Sequence, residues 1–160
     1  MIYATIYKRL YRVLPKLDAL IGDRNVNAVV LKTDGFMDLH VDILERMPDR
    51  TRISLAHYFK QGGDSISDPD MEVLIHHEMK MAEALSITQS FRPTQHVYAN
   101  AERTRFYPAR KKEQNSFLGQ WLMNLIHQGH KLVDSDRPRV EHVVGEADRF
   151  RLILPKKTEQ

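Results

Sequence analysis

The sequence predicts an α+β fold: an N-terminal helix, an antiparallel meander sheet of about four to six strands, and a C-terminal amphipathic helix packed on one face. Two periodicities lead there. Apolar residues recur every third or fourth position at the start of the chain and again around Trp121, and they alternate every second position through most of the stretch between. Strands that follow one another with no helix between them are joined by hairpins and therefore pair antiparallel.

Ile2, Ile6, Leu10, Val13, Leu14, Leu17 and Ile21 form one helical stripe, with Lys8, Arg9, Arg12 and Lys16 mostly on the other side. Pro15 removes a backbone donor and crowds the preceding turn, so this helix is expected to kink or stop near Leu14; Gly22 suits the end of whatever continues. From Val26 the period is two. Leu39, Val41 and Ile43 share one strand face and Asp38, His40 and Asp42 the other, while Ile53 and Leu55 point inward from the next strand. Residues 61–70, rich in Gly, Ser, Asp and Pro, read as an extended loop. Met71, Val73, Ile75 and His77 then alternate with Glu72, Leu74, His76 and Glu78, and Met81, Glu83, Leu85 and Ile87 share a face of a further strand.

Residues 92–112, punctuated by Pro93 and Pro108, read as irregular. Phe117, Leu118, Trp121, Leu122, Leu125 and Ile126 make the apolar stripe of the last helix, and Gly129 stands where a C-cap glycine belongs. Val140–Val144 and Phe150–Leu154 suggest a terminal hairpin around Gly145, with a frayed end beyond it. The chain thus divides into a single α+β domain over residues 1–133 and a C-terminal extension over 134–160. Both helices are expected on one face of the sheet, leaving the other solvated or available for binding.

The 160 residues suit one domain, and 42% hydrophobic with 28% charged residues is ordinary for a globular chain. Cysteine is absent, which excludes disulfides, thiolate metal sites and a cysteine nucleophile. Charges interrupt the apolar residues of the N-terminus, unlike a signal peptide, and no apolar run is long enough to span a membrane. A cytoplasmic location and no membrane partner are the expectation. The net charge is +3 and the sequence pI about 9.2. The cations are segregated: residues 1–17 carry Lys8, Arg9, Arg12 and Lys16 with no acid, and residues 92–112 carry Arg92, Arg103, Arg105, Arg110, Lys111 and Lys112 against Glu102 alone. Such segregation draws polyanions to one side of a protein.

Met71-Glu72-Val73-Leu74-Ile75-His76-His77-Glu78 followed by Met81-Ala82-Glu83-Ala84 resembles a signature of the YqiB-like family of small bacterial proteins. The likeness continues at Tyr107-Pro108, Asn115, Phe117-Leu118, Trp121-Leu122 and Gly129, and the Leu10–Pro15 stretch is similar to that family's helix end. His76 stands where the family has an aromatic residue and Glu78 where it has an aspartate. The resemblance implies a bacterial cytoplasmic domain of unknown function and names no reaction.

Two kinds of site are conceivable from the residues. Phe91, Tyr98, Phe106 and Tyr107 interleave with Arg92, Arg103, Arg105, Arg110 and Lys111. Arginine forks grip phosphates and aromatic rings stack on bases, so this segment suits single-stranded nucleic acid or a nucleotide, with a protein partner as the other binding option. Arg92, Arg103, Arg105, Tyr107, Arg110 and Lys111 are the residues expected to carry it. Alternatively, His40, Asp42, His57, His76 and Glu78 could supply metal ligands or acid–base groups on the open sheet face of a small enzyme. His40 and Asp42 share a strand face, as His76 and Glu78 are expected to. The spacings match no named zinc pattern, and no P-loop, dinucleotide fingerprint, nucleophile elbow or EF-hand is present. Glu83 falls in phase with apolar residues and so needs a partner, for which Arg52 and His77 are candidates. A binding or regulatory module is the favoured reading and the small enzyme the alternative.

Overall fold

The structure, a computed structural model, describes residues 1–132, 139–142 and 151–154. Helix α1 (Ile2–Val13) stops at Leu14, Pro15 blocks its continuation, and a separate helix α2 (Leu17–Gly22) follows. Six strands follow as an uninterrupted antiparallel meander: β1 (Ala28–Lys32), β2 (Leu39–Arg46), β3 (Arg50–Gln61), β4 (Asp64–His76), β5 (Met81–Thr88) and β6 (Gln95–His96). Helix α3 (Pro108–Gln128) then carries the chain across the sheet to its far edge, where β7 (Lys131–Leu132) pairs with β1. The spatial order is β6-β5-β4-β3-β2-β1-β7, so the expected meander gains a seventh strand by way of the helix. Strands β8 (Arg139–His142) and β9 (Arg151–Leu154) form a separate antiparallel pair with Arg139 opposite Leu154 and His142 opposite Arg151; Gly145 and residues 155–160 lie outside the described residues.

Helices α1 and α3 share one face of the sheet. Tyr3 lies beside Lys111, the Arg9 guanidinium donates to the Gly119 carbonyl at 2.9 Å, and Val13 shares a pocket with Ile126, so the two helices run parallel. Their inner residues Ile6, Leu10, Leu118 and Leu122 meet Val41, Ile53, Leu55, Met71, Val73 and Ile75 in one fully buried core. Each such side chain contributes about 1.5–3 kcal/mol by leaving water, which outweighs the modest helix propensity of this β-rich chain.

Four expectations change. The Gly- and Pro-rich stretch 61–70 is not a long loop: Gly62 and Gly63, at φ of +59° and +89°, make the turn and β4 begins at Asp64. Pro69 is tolerated because the ladder skips from Ala56–Asp70 to Tyr58–Ser67, and no strand hydrogen bond is asked of it there. On β5 a second bulge, where Glu72 faces Ser86 and Val73 faces Ala84, leaves Leu85 as the extra residue. Ala82, Ala84 and Ile87 therefore line the helix-side core, while Glu83, opposite Leu74, stays in phase with Met81 on the other face and is parted from Ile87.

The face away from the helices is not a solvated surface. His40, Asp42, Ser54, Ala56, Asp70, Leu74 and Ser86 on that face are all buried. The irregular stretch expected over 92–112 ends at Tyr107: up to there only β6 and an isolated Tyr98–Phe106 bridge are regular, and from Pro108 the chain is already in α3.

Candidate functional site

Strand β6 is only two residues long, so it leaves most of the outer edge of β5 without a strand partner. The N-terminal end of α3 covers that edge. The Asn115 side chain replaces the missing strand: its Oδ1 accepts the Ala84 amide at 2.9 Å, and its Nδ2 donates to the Lys111 carbonyl at 2.7 Å. An exposed strand edge with unpaired amides is an invitation to aggregate, and this contact closes it.

Beside that edge four polar side chains converge. The His76 Nε2–H donates to Glu83 Oε2 at 2.8 Å, the Tyr98 hydroxyl donates to Glu83 Oε1, and Lys111 Nζ lies 2.8 Å from the Tyr98 oxygen and 3.6 Å from Glu83 Oε1. The Lys111 ammonium also sits over three rings, at 5.4 Å from Tyr3, 4.9 Å from Tyr98 and 5.2 Å from Phe106. The side chains of Glu83 and Lys111 are only 15% and 23% exposed. Burial pushes the Glu83 carboxyl up, but the hydrogen bonds from Tyr98 and His76 and the Lys111 charge outweigh it and hold the group below its ordinary value. Burial and the bond to Glu83 raise the Tyr98 hydroxyl. Burial lowers Lys111, yet the bond to Tyr98 and the Glu83 charge raise it overall. All three shifts favour one charge state, a carboxylate facing an ammonium through a neutral phenol.

From this cluster the chain runs out in an arch. Val97 N–H bonds the Leu85 carbonyl, Tyr107 N–H the Val97 carbonyl (both 2.9 Å), and Ala99 N–H the Arg105 carbonyl at 2.8 Å. Asn100 fixes the tip, its Oδ1 accepting the amides of Thr104 and Arg105 at 3.1 and 3.0 Å. This is an Asx-type turn, which needs no regular secondary structure around it. The arch leans over the sheet face away from the helices and encloses a cleft of about 300 Å³ with Arg52, Glu72, Ser86 and His96. Arg52 donates to Glu72 at 2.8 Å and approaches Glu45 at 3.4 Å, so the cleft floor sets one cation against two carboxylates, and Arg103 on the arch brings the lining to balance.

The structure separates the predicted cationic residues into two groups. Lys111 is held in the Glu83 cluster, and Arg110 lies 4.4 Å over the Tyr107 ring and donates to the His96 carbonyl at 3.2 Å. Arg92, Arg103 and Arg105 make no side-chain hydrogen bond or ion pair among the described residues. Phe91, Phe106 and Tyr107 are 80%, 48% and 44% exposed on the same edge. Phe91 and Arg103 both hold left-handed backbone, at φ of +60° and +59°, as does Lys80 at +54° in the β4–β5 turn. A side chain there costs about 1–2 kcal/mol that glycine avoids.

The predicted metal set does not gather. His40 and Asp42 are buried on the face away from the helices, where His40 packs edge-on against Tyr58 at 4.9 Å. His57 is on the helix side, its Nδ1–H donating to the Asp38 carbonyl at 2.8 Å and its Nε2 accepting the Trp121 indole N–H at 3.3 Å. Burial lowers its basicity, and the neighbouring His130 ring, 6.1 Å away, adds to this against the Asp38 bond. His76 belongs to the Glu83 cluster. Glu78 does not share a strand face with it, because β4 ends at His76 and Glu78 is exposed in the following turn. No group of three or more His, Asp or Glu side chains able to hold a metal occurs among the described residues. His77, a candidate partner for Glu83, is hydrogen-bonded to Thr51 Oγ1 at 2.7 Å instead, and Arg52 pairs with Glu72. The Tyr98 and Lys111 partners lay hidden in a stretch read as irregular; the in-phase carboxylate was the one signal in the sequence that pointed to the cluster.

A family model described as "Domain of unknown function (DUF6908)" matches residues 6–131, more than three-quarters of the chain. The chain belongs to this DUF6908 family. No curated protein and no solved structure matches it. The DUF6908 span runs from α1 to β7 and contains both the Glu83 cluster and the arch. No helix among the described residues is long and apolar enough to cross a membrane.

Proposed function

We propose that this chain is a binding module for single-stranded nucleic acid, and that the β5–β6 edge with its arch is the contact surface. One observation carries the reading: Arg92, Arg103 and Arg105 make no side-chain hydrogen bond or ion pair among the described residues, and they share the segment 91–107 with three exposed aromatic side chains, Phe91, Phe106 and Tyr107. Unpaired arginines supply phosphate contacts, and rings stack on unpaired bases without regard to sequence, each stack contributing about 1–3 kcal/mol. The left-handed backbone at Phe91 and Arg103 supports it, since conformational strain at exposed side chains is a feature of ligand-contacting segments. Arg110 and Lys111 act in this reading as supports, Arg110 by holding the Tyr107 ring and Lys111 by anchoring the helix end to the sheet. A distant kinship with the YqiB-like proteins and a cytoplasmic location belong to the same reading and rest on the sequence.

The test is fluorescence anisotropy of labelled single-stranded and duplex oligonucleotides at low salt. The reading predicts saturable binding with the single strand preferred, because a duplex hides its base faces from the rings. Equal or stronger duplex binding contradicts the stacking role. Acid–base catalysis at the Glu83 cluster is the second reading, favoured by the Tyr98 hydroxyl lying between a carboxylate and an ammonium. Glu83→Gln separates the two: it removes a catalytic carboxylate while leaving every exposed arginine in place.

A further inference from the structure

We propose that a pocket at the opposite ends of α1 and α3 binds a small amphiphilic carboxylate, one with an alkyl or aryl body. The pocket measures about 530 Å³, within the range of sites that enclose a small ligand. Its walls are apolar, from Leu14, Leu20, Ile126 and Leu132 among others, and α1, α3 and β7 each supply part of them. Three cations, Arg12, Lys16 and Lys131, also line it, and no acidic side chain does among the described residues. Both helices end here, and their carbonyl ends bring about half a unit of negative charge each. That offsets one cation of the three and leaves a net positive rim.

An apolar cavity with such a rim complements an apolar body bearing a single negative charge. A neutral apolar molecule leaves the rim unanswered, and a nucleic acid is too polar and too large for the interior. His130 lines the same pocket and is buried; its Nε2–H donates to the Met37 carbonyl at 2.8 Å, while its Nδ1 has no partner. A buried polar atom without a protein partner is uncommon in native proteins, and a water or a ligand atom can supply one. Two of the three cations, Arg12 and Lys16, come from the basic N-terminal segment, which the nucleic-acid edge does not use, since that edge lies at the other end of both helices.

The test is isothermal titration calorimetry of the full chain with decanoate and, as a neutral control of equal length, decanol. Decanoate should bind one to one and saturate below its micelle concentration, with decanol about tenfold weaker or worse, the difference that 1.4 kcal/mol of charge interaction produces. A chain carrying Arg12→Gln, Lys16→Gln and Lys131→Gln should lose that advantage and bind the two alike. Absence of saturable decanoate binding overturns the proposal, as does equal affinity for decanoate and decanol in the unaltered chain. The decanol comparison needs no substitution, so it decides even if the triple variant folds poorly.

Discussion

Breaking the Lys111–Glu83 pair tests whether the cluster at the sheet edge holds the arch in place. Two unit charges 3.6 Å apart attract by about 4–5 kcal/mol at the effective dielectric of a protein surface. Desolvation of both groups, and the roughly 2 kcal/mol of rotamer freedom that a lysine gives up, offset most of this. A coupling of about 1–2 kcal/mol should remain, larger than the sub-kilocalorie value of exposed pairs because both groups are mostly buried.

The assay is urea denaturation of the unaltered chain, Lys111→Met, Glu83→Gln and the double variant, closed as a double-mutant cycle. The pH dependence has a definite sign. The folded Glu83 carboxyl lies below its unfolded value, so its contribution is complete above the ordinary glutamate range and disappears as the pH falls through the depressed folded value. Lys111 is raised, so its part is complete below the ordinary lysine range and is lost as the pH climbs beyond it. The coupling should therefore be present at neutral pH and vanish in strong acid. A cycle that closes below about 0.5 kcal/mol at neutral pH, within the additivity expected of independent sites, refutes the reasoning.

Substitutions at four further sites probe other joints. Arg46 gathers the α2 end, donating to the carbonyls of Ile21 at 2.7 Å, Asp23 at 3.1 Å and Val26 at 2.6 Å and to Asn27 Oδ1 at 3.0 Å. Charged hydrogen bonds are worth about 1.5–3 kcal/mol each and share one guanidinium, so Arg46→Met should cost about 3 kcal/mol, with Arg46→Lys recovering less than half by thermal melting. Asn115→Leu strips the Ala84 amide of its acceptor and should cost about 1–3 kcal/mol in a denaturant titration, with faster hydrogen exchange at that amide. Gly129→Ala should cost about 1–2 kcal/mol through backbone strain alone, because φ is +81° while the new Cβ would meet Thr33 Oγ1 no closer than 3.7 Å. His57 is lowered in the folded chain, so stability should fall as the pH drops below the ordinary histidine range; His57→Gln should flatten that decline in melts across the acid limb.

The sequence made the fold class legible because its two periods are clean where the strands are regular. Pro15 and Gly129 marked helix ends for reasons that act within one turn. What it hid was set by neighbours in space. The bulge beside Glu72 set Ile87 on the opposite face from Glu83, and no local pattern announces a bulge. Pro69 suggested a loop because the ladder position that excuses it lies on another strand. The arch looked irregular because Asn100 orders it by side-chain bonds, and α3 begins at Pro108, where a first-turn proline is allowed and the apolar stripe has not yet begun. The arginines and rings at the edge were legible by composition; which cations are engaged by the protein itself was not.

Salt dependence measures phosphate contacts most directly. The deciding experiment is anisotropy of a labelled single strand over a salt series, with the unaltered chain and with Arg92→Gln, Arg103→Gln and Arg105→Gln combined. Each phosphate contact to a single strand adds about 0.7 to the slope of log affinity against log salt, so the account predicts tight low-salt binding whose slope shrinks by about 2 in the variant. Binding with an unchanged slope, or no binding by the unaltered chain at low salt, contradicts it.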